Sequence, residues 1–154
     1  MWNPTSPITG GAQTGFTSPT YTFVADTAPD SNGKQVAITA LGGTQTGVTV
    51  HSGSSPFTMT MVKPKSFKLL GQPNPVTGLI PSVPKNLYKV IVRKGMTPYA
   101  GQPFSIGMAD LSILIPAGAE TADQANARAL ISLLIGALNQ LSAGLGDTVV
   151  SNLF

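Results

Sequence analysis

The sequence predicts an α+β fold: an N-terminal β-hairpin and an antiparallel sheet meander, followed by two C-terminal α-helices. Three observations predict it. Apolar and polar residues alternate in short segments from Pro19 to Pro116, and the last third of the chain then changes to helical spacing. Strand and helix do not alternate along the chain, which disfavours a doubly wound parallel sheet. The 154 residues read as one domain, long enough to bury a core.

Residues 1–18 are rich in Gly, Thr, Ser and Pro without any period, and read as a loose arm. PTYTFVAD and KQVAITAL then alternate, with Tyr21, Phe23 and Ala25 on one side of the first segment and Val36 and Ile38 on one side of the second. Between them Asn32-Gly33 is suited to the positive backbone angles of a tight hairpin turn. Past a break at Gly42-Gly43, TGVTVHS predicts a short third strand with Val48 and Val50 on one face. FTMTMVK predicts the next, setting Phe57, Met59 and Met61 against Thr58, Thr60 and Val62.

Five prolines between Pro64 and Lys85 exclude a helix or a central strand there, and predict an extended excursion at the rim of the sheet. NLYKVIVRK is the clearest strand, with Tyr88, Val90 and Val92 on one face and Lys89, Ile91 and Arg93 on the other. After a loop around TPYAGQP, MADLSILIP places Leu111, Ile113 and Ile115 opposite Met108, Asp110 and Ser112.

Residues 121–154 predict the helices. Thr121 and Gln124 have the spacing of a capping box, Gly144 is suited to end the long helix, and Asp147 to cap a second. Ala127, Leu130, Ile131, Leu134, Leu138 and Leu141 form a stripe, which Leu133, Ile135 and Ala137 widen beyond what a solvent-facing helix carries. Each fully buried Leu or Ile contributes roughly 1.5–3 kcal/mol, so the face is worth more than about 10 kcal/mol before ordering entropy is subtracted. One small sheet covers only part of it. Two arrangements satisfy the stripe: an intimate homodimer with Leu130, Leu134 and Leu138 in its core, or the core helix of a monomer.

Charged residues make up only 10% of the chain, where about a quarter is usual, so much of the surface is expected to meet other protein. Between Ser31 and Ala109 there is no Asp or Glu, whereas Lys34, Lys63, Lys65, Lys68, Lys85, Lys89, Arg93 and Lys94 all fall there. Such a basic surface suits a polyphosphate backbone, or simply keeps the protein dissolved. There is no Cys, and the start of the chain does not read as a signal peptide. The longest apolar run, around Ala129 to Leu138, is too short for a membrane span, so no membrane partner is expected.

The sheet therefore has two chemically different faces. One collects Phe57, Met59, Met61, Tyr88, Val90, Val92, Leu111, Ile113 and Ile115, and suits a covering layer of helices. The other collects Thr58, Thr60, Lys89, Ile91, Arg93, Met108, Asp110 and Ser112. Cations and hydroxyls on a flat sheet suit single-stranded RNA, the cations holding phosphates and the polar side chains reaching base edges or the 2′-hydroxyl. A water-facing antiparallel sheet carries the same kinds of residue.

The order of these pieces resembles the coat proteins of single-stranded RNA bacteriophages, the levivirus-like group. The likeness spans roughly residues 19–154: the NGKQ turn, FTMTMVKPKS, NLYKVIVRK with its Asn86-to-Val90 strand, Ala109-Asp110-Leu111-Ser112, and ETADQANAR leading into paired helices. It implies that two subunits join sheets edge to edge and that the helices of each lie across the other's sheet. It further implies a closed icosahedral shell, commonly of T=3 geometry, assembled in the bacterial host cytoplasm, with the polar face turned toward the genome. In that group the face also binds an RNA hairpin that represses translation. Carried across, the resemblance gives phosphate contacts to Lys89 and Arg93 and base or sugar contacts to Thr58, Thr60 and Asp110, with Ile91 and Met108 on the same surface. Relative to the group, Pro64 to Lys85 is long and the loop from Thr97 to Phe104 is short.

Catalytic chemistry finds few residues here. His51 is the single His, with no nucleophile elbow nearby, and one His without Cys does not make an ordinary zinc site. No metal and no cofactor are expected. The expected role is structural, a capsid subunit whose partners are further copies of itself and single-stranded RNA. A regulatory RNA-binding homodimer that forms no shell is the alternative, and a surface adhesin subunit a more distant one.

Overall fold

The computed structural model describes residues 2–153. A six-stranded antiparallel sheet runs in sequence order: β1 (Ile8–Thr9), β2 (Thr17–Asp26), β3 (Gly33–Thr44), β4 (Phe57–Val62), β5 (Lys85–Met96) and β6 (Ser105–Pro116). Three helices follow: α1 (Ala119–Ala122), α2 (Gln124–Gln140) and α3 (Ser142–Ser151). The predicted α+β order is the observed one.

Several local expectations change. The N-terminal arm is not loose, because Ile8 and Thr9 pair with Tyr21 and Thr20, and the Gln13 side-chain amide donates to the Ser142 carbonyl oxygen at 2.8 Å. TGVTVHS is not a strand. β4 pairs directly with β3, through Val36 opposite Met59 and Gln35 opposite Thr60, and residues 46–52 form no ladder with the rest of β3. The segment is held instead by single bonds, such as His51 N–H to the Ile38 carbonyl at 2.8 Å. Gly42-Gly43 does not break β3 either. Gly43 takes φ 70° where the β2–β3 register shifts, a left-handed conformation that glycine adopts without steric cost.

The β2–β3 turn also differs from the two-residue kind. Gly33 N–H donates to the Asp30 carbonyl at 3.0 Å, so Asp30 and Gly33 occupy the first and last positions of a four-residue turn. Neither Asn32 nor Gly33 has positive φ, because the six residues between the strands leave room to reverse without one. Residues 63–84 form no strand or helix, as five prolines require.

At the helices, the capping box is replaced by a break. Thr121 donates its hydroxyl back to the Gly118 carbonyl, and Asp123, at φ −143° and ψ 57°, ends α1 and caps α2 by accepting from Asn126 N–H at 3.3 Å. The long helix ends at Leu141 rather than Gly144, and α3 departs at 61°. Asp147 lies inside α3, where its carboxylate accepts from the Thr14 hydroxyl at 2.9 Å. No single helix among the described residues is long and apolar enough to cross a membrane.

The core is small. Among the described residues the buried hydrophobic side chains are Val36, Ala37, Ile38, Met61 and Ala117. The chain exposes 10616 Å², whereas a compact monomer of 15.8 kDa exposes about 7,300 Å², an excess of roughly 3,300 Å². α2 and α3, which do not lie down on their own sheet and contain no buried residue, contribute to the excess, as does the proline-rich excursion, exposed from residue 65 to 79.

Candidate nucleic-acid interface

The polar face is built by register. Thr58 stands between Ala37 and Arg93, Thr60 between Gln35 and Ile91, and Ile91 next to Asp110, while Arg93 faces Met108 and Lys89 faces Ser112. The seven residues expected to meet RNA, Thr58, Thr60, Lys89, Ile91, Arg93, Met108 and Asp110, therefore share one surface across three adjacent strands.

Across this surface runs a chain of hydrogen bonds through four strands. Arg93 Nη1 donates to the Thr60 hydroxyl at 3.2 Å, Thr60 donates to Gln35 Oε1 at 2.7 Å, and Gln35 Nε2 donates to Asp26 Oδ2 at 2.6 Å. Donor and acceptor alternate without a gap, from a guanidinium on β5 to a carboxylate on β2. The Gln35 amide, with the Thr27 N–H, holds the Asp26 carboxyl below its ordinary range. A second group lies on β5 and β6, where Lys89 Nζ donates to Asp110 Oδ2 at 2.9 Å and the Ser112 hydroxyl to Oδ1 at 3.2 Å. Lys89 is the chief reason the Asp110 carboxyl is also lowered.

The seven residues do not present themselves equally. Thr58 and Thr60 are 4% and 2% exposed, overtopped by longer neighbours, and the Thr60 hydroxyl already donates and accepts within the sheet. Their place is the floor of the face, which corrects the expectation that they reach a base edge. Lys89, Ile91 and Arg93 are half-buried, and Met108 and Asp110 stand exposed. Gln35 and Asp26 were missed in the sequence, since nothing in the β2–β3 hairpin alone shows that its polar residues continue the pattern of β4 and β5.

On the opposite face Tyr88, Val90, Leu111, Ile113 and Ile115 form one wall of an open groove of ≈ 660 Å³, and Ala127, Ile131, Leu134 and Ile135 of α2 form the other. Trp2 and Glu120 also line it, and Glu120 Oε2 is buried with no hydrogen-bond partner among the described residues. Of the three expected dimer-core leucines, Leu134 faces this groove, while Leu130 and Leu138 are exposed together with Leu133, Leu145, Val149 and Val150. Among the described residues, sheet pairing leaves the outer edge of β6, twelve residues long, without a neighbouring strand. An open apolar groove, unpartnered helices and a long bare edge are the features of a subunit rather than of a finished monomer.

No protein-family model matches the chain, and no curated protein matches it significantly. Among solved structures, the chain is similar to a subunit of the virus-like particle of bacteriophage ESE020, with 51% sequence identity over 100% of this chain and 100% of that one, and a TM-score of 0.97. Identity at half of all positions with the whole fold preserved exceeds a likeness of architecture alone. The chain belongs to the bacteriophage capsid proteins, in keeping with the resemblance in its order of strands and helices.

Proposed function

We propose that this coat protein dimerises through β6 and its helices, and that the dimers assemble into a closed shell around single-stranded RNA. The observation that carries the reading is the placement of α2 and α3, which hold Leu130, Leu133, Leu138, Leu145 and Val149 off their own sheet. A second copy laid against the free β6 edge continues the sheet to twelve strands, and its helices fill the ≈ 660 Å³ groove. The excess surface of roughly 3,300 Å² is of the size that obligate dimers and their further contacts bury.

In this reading the polar face lines the interior and attracts RNA through Lys89 and Arg93. Ile91 and Met108 offer apolar surface on which bases rest, and Asp110 is the group able to accept from a base or a 2′-hydroxyl. Thr58 and Thr60 support Arg93 from below. Repression of translation through a hairpin and a T=3 shell belong to the same proposal, as does residence in the virion after assembly in the host cytoplasm.

Electron microscopy of protein expressed alone, with absorbance at 260 and 280 nm after nuclease treatment, tests the reading. Uniform shells that protect nucleic acid are the expected result, and their diameter fixes the symmetry. A small dimer that stays unassembled when RNA is added leaves the regulatory RNA-binding dimer in place of the shell.

A further inference from the structure

At the end of the sheet opposite the 97–104 loop, the proline-rich excursion folds back to enclose a cleft of ≈ 380 Å³ on the polar face. Its floor is Val62 and Leu87, and around it stand Lys63, Lys65, Lys68, Lys85 and Lys89. We propose that this cleft binds the phosphodiester backbone of single-stranded RNA, as a site beyond the central face. The inference rests on the reading of that face as RNA-facing.

Three observations support it. The backbone around the cleft is fixed. Buried Asn86 accepts from Lys68 N–H at 2.8 Å and donates to the Lys68 carbonyl at 3.0 Å, while Asn32 pairs in both directions with Lys63. Lys63 and Lys68 are thus anchored through their backbone, which leaves their side chains to follow a mobile anion. Charge is also left uncompensated. Lys65 pairs with Asp30 at 2.7 Å and Lys89 with Asp110 at 2.9 Å, but Lys63, Lys68 and Lys85 form no ion pair among the described residues. Concentrated like charge repels itself, and a bound polyanion relieves it. Finally, Lys85, Leu87 and Lys89 share one side of β5 with Ile91 and Arg93, so the cleft opens onto the central face and one strand can cross both. A volume of this order accommodates a nucleotide, and the apolar floor offers a surface for a sugar or base.

The test compares purified coat protein with two variants, K63Q/K68Q/K85Q and K89A/R93A, binding a labelled single-stranded oligouridylate across a salt titration. The slope of log affinity against log salt is about −0.7 per phosphate neutralised on single strands. The cleft variant is expected to flatten the slope by about 2, to keep native circular dichroism and subunit association, and to lose ultraviolet crosslinks to residues 63–68. An unchanged slope in that variant, with a flattened one in K89A/R93A, overturns the cleft while the central face stands. No flattening in either variant overturns the face reading as well. Saturable binding of free uridine monophosphate that the cleft variant loses, without any change in oligonucleotide slope, assigns the cleft to a mononucleotide and overturns the backbone proposal.

Discussion

Lys89 Nζ lies 2.9 Å from Asp110 Oδ2, diagonally across the β5–β6 pair, since Lys89 is registered with Ser112 and Asp110 with Ile91. The carboxylate that β6 brings to the central face thus sits against one of the two cations of β5. The pair mutes the attraction of the face for phosphate while holding both side chains in place.

Asp110→Asn removes that restraint. The Asp110 carboxyl is lowered first by Lys89, so its contribution to stability is present above the unfolded-state pKa and is lost as pH falls through the folded-state pKa. Asp26, lowered by Gln35, follows the same sign. D110N is therefore expected to give up part of the loss of melting temperature on acidification, and D26N a further part. At neutral pH, D110N should bind oligouridylate more tightly. Acid and neutral melting curves that shift in parallel with wild type would contradict the pair's role.

Thr60→Val tests the four-strand relay. The substitution keeps the shape of a side chain that is 2% exposed, but leaves the Gln35 acceptor and one Arg93 donor unmatched. Loss of a buried partner costs about 1–3 kcal/mol, which lowers the melting temperature by several degrees in a chain of this size. Thr60→Ser should recover most of it. Equal melting of wild type and T60V would show that the relay adds nothing to stability.

Leu134→Asp places a charge in the groove between α2 and the apolar sheet face. A carboxylate buried without a partner costs several kcal/mol, so soluble dimer should be absent in sedimentation velocity. A stable monomer with native circular dichroism would count against interlocked helices.

Gly43→Ala probes the bulge in β3. The backbone there has φ 70°, and an added Cβ would run into the Thr17 and Ser18 carbonyl oxygens of β2. Destabilisation beyond about 1 kcal/mol is expected from chemical denaturation. A neutral result would mean that the strand re-registers without the bulge.

Much of this protein is determined by its sequence alone. Period-two alternation assigns Lys89, Ile91 and Arg93 to one face and Tyr88, Val90 and Val92 to the other, because side chains on a strand alternate whatever the strand pairs with. Helical spacing likewise places a helix at α2, and five prolines declare the excursion. Accessibility needed the tertiary structure. Thr58 and Thr60 share a face with Arg93, yet they are covered because register sets Gln35, Ile91 and Arg93, all longer, around them. Alternation gives the direction of a side chain, not the height of its neighbours. Tertiary pairing also decided that residues 46–52 stay out of the sheet while Ile8 and Thr9 enter it, since strand membership depends on packing context more than on local pattern. The departure of α2 and α3 from their own sheet follows from two breaks, at Asp123 and Leu141, whose backbone angles belong to the folded chain.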